Sequence, residues 1–196
     1  MGFFNWSAPL LHRFLDGRWT TEDVGTLTGL LRPWVPEGGS LLDLGGGSGG
    51  LAVRLAGSLH ARVTILDPTP EMLARVPAHP ALDVRLGGSE DVPFPDGSFD
   101  AVLVSDAFHH FRDLERSVAE MVRVTRPGGG LLILEIDPGG WRRLLVVVER
   151  MVGEPANFFT RDAFCTFMAE RGVAGRCFDH DSMSYLYAGE VLGGAR

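Results

Sequence analysis

Five of the six residues at positions 45–50 in the stretch LLDLGGGSGG are glycine, with Asp43 two positions ahead and Asp67 twenty positions beyond Gly47. Glycine inside a regular element costs about 0.5–1 kcal/mol relative to alanine. Bare backbone in this number therefore needs a use, and a tight turn that lets a ligand approach amide N–H groups at a helix N-terminus supplies one. Gly45, Gly47 and Gly50 satisfy the dinucleotide pattern G-x-G-x-x-G, while Gly45, Gly47 and Gly49 satisfy G-x-G-x-G; the glycines alone leave both open. Asp43 would repel a diphosphate and favour a cationic ligand. Asp67 stands where a carboxylate can accept hydrogen bonds from both hydroxyls of a ribose. His109 and His110, in SDAFHHF, could take a proton near neutral pH, or could pack and orient the turn that carries them.

Those residues need strands and helices to hold them, and the chain reads as an alternation of the two. LLDLG, ARVTILD, ALDVRLGG, FDAVLVSDAF and GGLLILEID are short apolar or alternating runs; LAVRLA, TPEMLARV and DLERSVAEMVRVT have helical spacing. Strand alternating with helix predicts an α/β fold with a parallel sheet covered on both faces. Ahead of the glycines, MGFFNWSAPLLHRFLDG and TEDVGTLTGLLRPWVPEGG read as lead-in helices. The first carries an apolar stripe through Phe3, Trp6 and Phe14, read as facing the core. Beyond Pro127–Gly130, read as a turn, WRRLLVVVERMV and TRDAFCTFMAERG read as helices, the second capped by Thr160. VAGRCFDHD and SMSYLYAGEV read as closing strands.

Composition narrows the function. The 196 residues make one domain, 45% hydrophobic and 22% charged, with net charge −7 and a pI near 5.3. That balance disfavours gripping nucleic acid, whose nonspecific binding draws on clustered positive charge. All 18 basic residues are arginine, which removes Schiff-base chemistry and the lysine-bearing P-loop. No apolar run reaches a membrane span and no secretory signal is legible, so the expectation is a cytoplasmic protein. Cys165 and Cys177 fit no metal-ligand pattern and read as ordinary buried or half-buried thiols; no metal is expected.

LLDLGGGSGGLAVRLA, VTILDPTPEML, GGSEDVPFPDGSFDAVLVSDAFHHF and EMVRVTRPGGGLLILEID, in this order, resemble the successive motifs of class I S-adenosylmethionine-dependent methyltransferases. They are most similar to the branch that includes the ubiquinone and menaquinone C-methyltransferases. The resemblance spans roughly Leu41 to Asp137. It implies a Rossmann-like, doubly wound, mostly parallel sheet of about seven strands with an antiparallel C-terminal strand and helices on both faces. It also implies one methyltransferase domain over 1–196: a helical cap at 1–39, a cofactor-binding core at 40–137, and C-terminal helices and closing strands at 138–196.

Residue by residue, the resemblance implies that Gly45, Gly47 and Gly49 line the methionine part of S-adenosylmethionine. Asp43 would fix the loop and help hold the ammonium, and Asp67 would hold the ribose diol. Pro68, Thr69 and Met72 would pack on or near the adenine. Gly88 stands where the family often has an acidic residue for the adenine amino group, so Ser89 or Glu90 would replace it, or backbone and apolar contacts would. Ser105 and Asp106 would lie beside the methionine part, and His110 or His109 would be the base or a packing element. In similar enzymes an N-terminal helix lines the acceptor site, which offers Trp6, His12 and Phe14; Arg142 and Arg143 read as a solvated pair or as contacts to an anionic substrate.

SDAFHH stands where base-amino methyltransferases carry N-P-P-Y, and no cysteine lies nearby for C5-pyrimidine methylation. The acceptor is therefore expected to be a small molecule, apolar or aromatic, methylated at carbon or oxygen. A nicotinamide-dependent oxidoreductase and a noncatalytic cofactor-binding subunit are the competing readings.

Overall fold

The computed structural model describes residues 19–138, 157–181 and 183–192. The first lead-in helix with Trp6, His12 and Phe14, and the segment carrying Arg142 and Arg143, lie outside the described residues. Helix α1 (Thr21–Leu31) opens on a capping box: Thr20 Oγ1 accepts from the Asp23 amide at 3.1 Å, and Asp23 Oδ2 accepts from the Thr20 amide at 2.7 Å. Its Val24, Leu27 and Leu31 are buried. Because the hydroxyl satisfies one of the orphan amides of the first turn, Thr20→Ala is expected to lower stability by about 1 kcal/mol in urea unfolding. An unchanged midpoint would show that the cap contributes nothing.

The chain then alternates as expected: β1 (Ser40–Leu44), α2 (Gly50–Leu59), β2 (Arg62–Asp67), the single turn α3 (Pro70–Leu73), β3 (Leu82–Leu86), β4 (Phe99–Ser105), a 3-10 turn at Phe108–His110, α4 (Leu114–Val124), β5 (Thr125–Ile136), α5 (Arg161–Ala169), β6 (Val173–Asp179) and β7 (Ser184–Val191). The seven strands form one sheet in the order β3-β2-β1-β4-β5-β7-β6, parallel from β3 to β5 and antiparallel where β7 meets β5 and β6. β1 lies between β2 and β4, so the chain leaves it first toward one edge and later toward the other. The crevice outside that reversal is where open α/β sheets bind ligands.

Alternation along the central strands divides the interior into two layers. Leu41, Val63, Ile65, Leu103 and Leu132 face one way and pack against α1 and α2 through Leu27, Leu31, Leu51, Leu55 and Leu59. Leu42, Val102, Val104, Leu131 and Ile133 face the other way, against Val118, Met121, Phe164 and Met168 of α4 and α5. With both faces covered, the strands need no polar side, which is why they read as continuous apolar runs in the sequence.

Three local expectations are corrected. Residues 127–130, expected as a turn, belong to β5, where the register passes from Phe99↔Thr125 to Ala101↔Gly130 through a bulge. Thr160 stands at the N-cap of α5 but its side chain makes no capping bond. Cys165 and Cys177 are joined as a disulfide, because α5 crosses β6 with the two Cα atoms 6.4 Å apart, within disulfide reach. Among the described residues, no helix is long and apolar enough to cross a membrane.

Candidate functional site

The site begins at the end of β1, where residues 45–49 turn the chain into α2. Gly45, Gly47 and Gly49 all have positive φ, between 54° and 77°, and Gly49 caps α2 in the left-handed conformation. A Cβ on Gly45 would stand 2.6 Å from the Ala107 Cβ, and one on Gly47 would stand 2.9 Å from the Met72 Cε. The dihedrals favour glycine at all three positions; at Gly45 the space demands it as well, whereas at Gly47 the Met72 methyl could swing aside. Gly46, outside the alternate-glycine pattern, is bare for a different reason: its Cβ would meet the Asp43 carboxylate at 2.6 Å.

Asp43 thus lies beneath the loop, paired in register with Ile65 on β2 and Leu103 on β4, and is 2% exposed. Its Oδ1 is buried and has no hydrogen-bond partner among the described residues. Burial, and then the nearby charge of Asp67, push its carboxyl up to about 7. Asp67 ends β2 and is almost as buried. Its Oδ2 accepts from the Gly47 amide at 3.0 Å and its Oδ1 from the Thr69 amide at 2.8 Å. The hydrogen bond that ties down the loop is therefore made by Asp67, whereas the sequence pointed to Asp43. Next along the chain, Pro68 is exposed, Thr69 half-buried, and Met72 buried with its methyl beside Gly47.

At the end of β3, Gly88 is followed by two side chains engaged with α4. The buried Ser89 hydroxyl lies 2.9 Å from that of Ser117, which itself donates to the Asp113 carbonyl. Glu90 Oε1 accepts from the amides of Arg112 and Asp113 at 3.0 and 3.4 Å. Burial raises the Glu90 carboxyl, but these amide bonds outweigh it and the net shift is downward. Both residues brace the entry to α4.

At the end of β4, the Ser105 hydroxyl is buried with no hydrogen-bond partner among the described residues. Asp106 adopts φ 47° and its amide donates to the Leu134 carbonyl. Ala107 closes against Gly45, and the 3-10 turn follows. His109 is 4% exposed, its Nδ1 is 2.8 Å from Glu135 Oε2 on β5, and its ring stacks on Phe158 at 4.4 Å and 17°. His110 is half-buried, its ring centroid 4.0 Å from that of His109.

Beside this turn a cleft of about 220 Å³ opens between the start of α1, the end of β5 and the β6–β7 loop. Trp19, Asp23, Asp106, Ile136, His180 and Met183 are among the residues lining it, and His180 Nε2 lies 3.3 Å from Asp23 Oδ1. The sequence points to Asp106 there but not to Asp23 or His180, nor, at the 3-10 turn, to Glu135. The last two sit in segments read only as strands, and Asp23 was read only as part of a helix.

A buried carboxylate oxygen with no partner among the described residues, a second carboxylate at the next strand end and a glycine cradle between them suit a ligand that brings both a cationic group and hydroxyl donors. Residues 42–133 match the family described as "Methyltransferase domain". The ubiquinone/menaquinone biosynthesis C-methyltransferase UbiE of Rubrivivax gelatinosus is 32% identical over 114 residues, covering 57% of this chain and 45% of that protein. The demethylmenaquinone methyltransferase of Thermus thermophilus is 40% identical over 104 residues, covering 50% and 47%. The chain thus spans about half the length of these curated relatives. Among solved structures, a chain of the "Complex between the Haloferax volcanii Trm112 methyltransferase activator and the putative methyltransferase" superposes with a TM-score of 0.79 at 19% identity. That match covers 98% of this chain and 99% of that one, and shows a shared fold.

Proposed function

We propose that this protein transfers a methyl group from S-adenosylmethionine to carbon or oxygen of a small apolar or aromatic molecule; the match of residues 42–133 to the family described as "Methyltransferase domain" supports this reading. The relatives named for ubiquinone and menaquinone C-methylation favour carbon of a hydroxylated aromatic ring. In this reading 40–137 is the cofactor-binding core, 1–39 a helical cap, and 138–196 the closing helices and strands of one domain.

The observation that carries the proposal is the buried Asp43 Oδ1, with no hydrogen-bond partner among the described residues, beneath a loop of left-handed glycines. An ammonium at this loop would give that carboxylate a counter-charge, whereas a diphosphate would bring further negative charge to two buried carboxylates. Asp67 would exchange its loop contact for, or share it with, a ribose diol. Pro68, Thr69 and Met72 would border the adenine. With Ser89 and Glu90 engaged by α4, the adenine contact at Gly88 falls to backbone and apolar groups. Ser105 and Asp106 would border the methionine part.

The cofactor, when bound, supplies an electrophilic methyl group on a sulfonium centre. The protein's own task is then alignment and exclusion of water. His110 is the candidate to accept the proton that the methylated atom gives up, and the cleft at Asp106 and Ile136 is the candidate acceptor space.

Calorimetry with S-adenosylhomocysteine and with NADH tests the proposal. Binding of the first at micromolar Kd, with no heat from the second, is expected. The reverse result would point to an oxidoreductase and end this reading. A panel of hydroxylated quinols and phenols, assayed for methyl incorporation, then identifies the acceptor; binding without turnover on any of them would favour a noncatalytic subunit.

A further inference from the structure

Glu135 is a charged residue in the middle layer of the sheet, 3% exposed, directly following the buried apolar run Leu131–Leu134 of β5. Four N–H groups converge on its carboxylate. Oε1 accepts from the amides of Phe108 and His109 at 2.9 and 3.4 Å; Oε2 lies 2.8 Å from His109 Nδ1 and accepts from the Ile136 amide at 3.3 Å. A carboxylate can only accept, so the proton between it and the imidazole belongs to Nδ1. The ring is clamped from other sides as well. Phe158 stacks on it, and the Asn157 amide and side chain donate to the carbonyls of His109 and Phe111 at 3.1 and 2.7 Å. His110 packs against this immobilised ring and stands three residues beyond the Ala107 that abuts the glycine loop.

We infer that Glu135 is a positioning residue for methyl transfer: it fixes His109 as the Nδ1–H tautomer and, through that locked ring, holds His110 in the orientation from which it accepts a proton. This rests on the methyl-transfer reading above. As the acceptor atom forms its bond to the methyl carbon, the carbon–sulfur bond would break with its electron pair left on the sulfur of S-adenosylhomocysteine; the acceptor's bond to hydrogen breaks, an N–H bond forms on the His110 imidazole, and the resulting imidazolium releases the proton to water. A base oriented by a second group, itself held by a third, is the arrangement that keeps such a ring from turning away.

The test uses the full chain labelled with 15N and two-bond imidazole correlation spectra. In the wild type His109 is expected as Nδ1–H. Glu135→Gln keeps an oxygen for the amides of Phe108 and His109 but turns an NH2 toward Nδ1. His109 is then expected to move to the Nε2–H tautomer, with shifted or doubled His110 signals. With the acceptor found in the panel, kcat is expected to fall about tenfold or more while KM stays within about twofold, the pattern of a lost alignment and not a lost binding contact.

Glu135→Asp, which keeps the charge, should restore part of kcat. An Nε2–H signature for His109 in the wild type would overturn the inference without any variant. So would a folded Glu135→Gln protein whose His109 and His110 spectra and kcat match the wild type. Failure of the wild type to bind S-adenosylhomocysteine would instead remove the methyl-transfer reading on which the inference stands, whatever the tautomer.

Discussion

Asp43→Asn is expected to make the protein more stable at pH 8 while weakening its hold on S-adenosylhomocysteine. The Asp43 carboxyl is raised from 3.8 to about 7, by burial first and by Asp67 second. A raised value means that the folded state binds this proton more tightly than the unfolded state. The group's contribution to stability therefore improves as pH falls from above 7 toward 3.8, and is constant below that. Above pH 7 the folded protein carries a buried charge whose Oδ1 has no hydrogen-bond partner among the described residues, at a cost on the order of a few kcal/mol.

Asparagine removes the charge and nearly preserves the shape. Urea unfolding should therefore show the variant ahead of the wild type at pH 8 and level with it near pH 4. Binding moves the other way: a charge-assisted bond to an ammonium contributes roughly 1.5–3 kcal/mol, so affinity should fall about 10- to 100-fold. Parallel stability profiles for the two proteins across this pH range would show that Asp43 is not the strained group. Unchanged affinity would show that it does not face the cofactor.

Gly45→Ala is expected to abolish cofactor binding in a chain that still folds. At φ 77° an alanine costs about 1–2 kcal/mol in backbone strain alone. Its Cβ would also stand 2.6 Å from the Ala107 Cβ, between the loop and the turn after β4, so one of the two must move. Either movement opens the cradle or shifts the turn that carries His109 and His110. Calorimetry should show S-adenosylhomocysteine affinity reduced about 100-fold or more, while circular dichroism retains the α/β signature.

Gly57→Ala is the control. That glycine lies inside α2 with nothing within 4 Å of an added Cβ, and alanine there should be neutral or stabilising by about 0.5–1 kcal/mol with binding intact. If Gly45→Ala bound as tightly as Gly57→Ala, the loop would not be the cofactor cradle.

The parts legible in the sequence are those set by local chemistry and periodicity. The alternation of strand and helix, the covered parallel sheet, the glycine turn and the carboxylates Asp43 and Asp67 all follow from short stretches whose pattern carries their meaning. The helix in DLERSVAEMVRVT does too, and the structure adds its cap, Asp113 Oδ1 accepting from the Arg116 amide. Where the reading went astray, the deciding partner was far along the chain. The segment 127–130 looks like a turn because Pro and Gly favour one, yet pairing with β4 draws it into a strand through a bulge. Cys165 and Cys177 look inert until α5 is laid across β6.

Glu135 and His180 illustrate the same limit at the site. Within LLILEID the glutamate is one polar residue in an apolar run; only the parallel pairing of β4 with β5 puts it under the turn where three N–H groups await a carboxylate. His180 meets Asp23 because the antiparallel return of β7 brings the β6–β7 loop to the start of α1. Sequence by itself thus determined the sheet, the loop and the charge beneath it, since each depends on neighbours a few residues away. Which side chains converge on the turn and the cleft was decided by tertiary structure, because hydrogen bonds and packing act across 2–5 Å of space and take no account of separation along the chain.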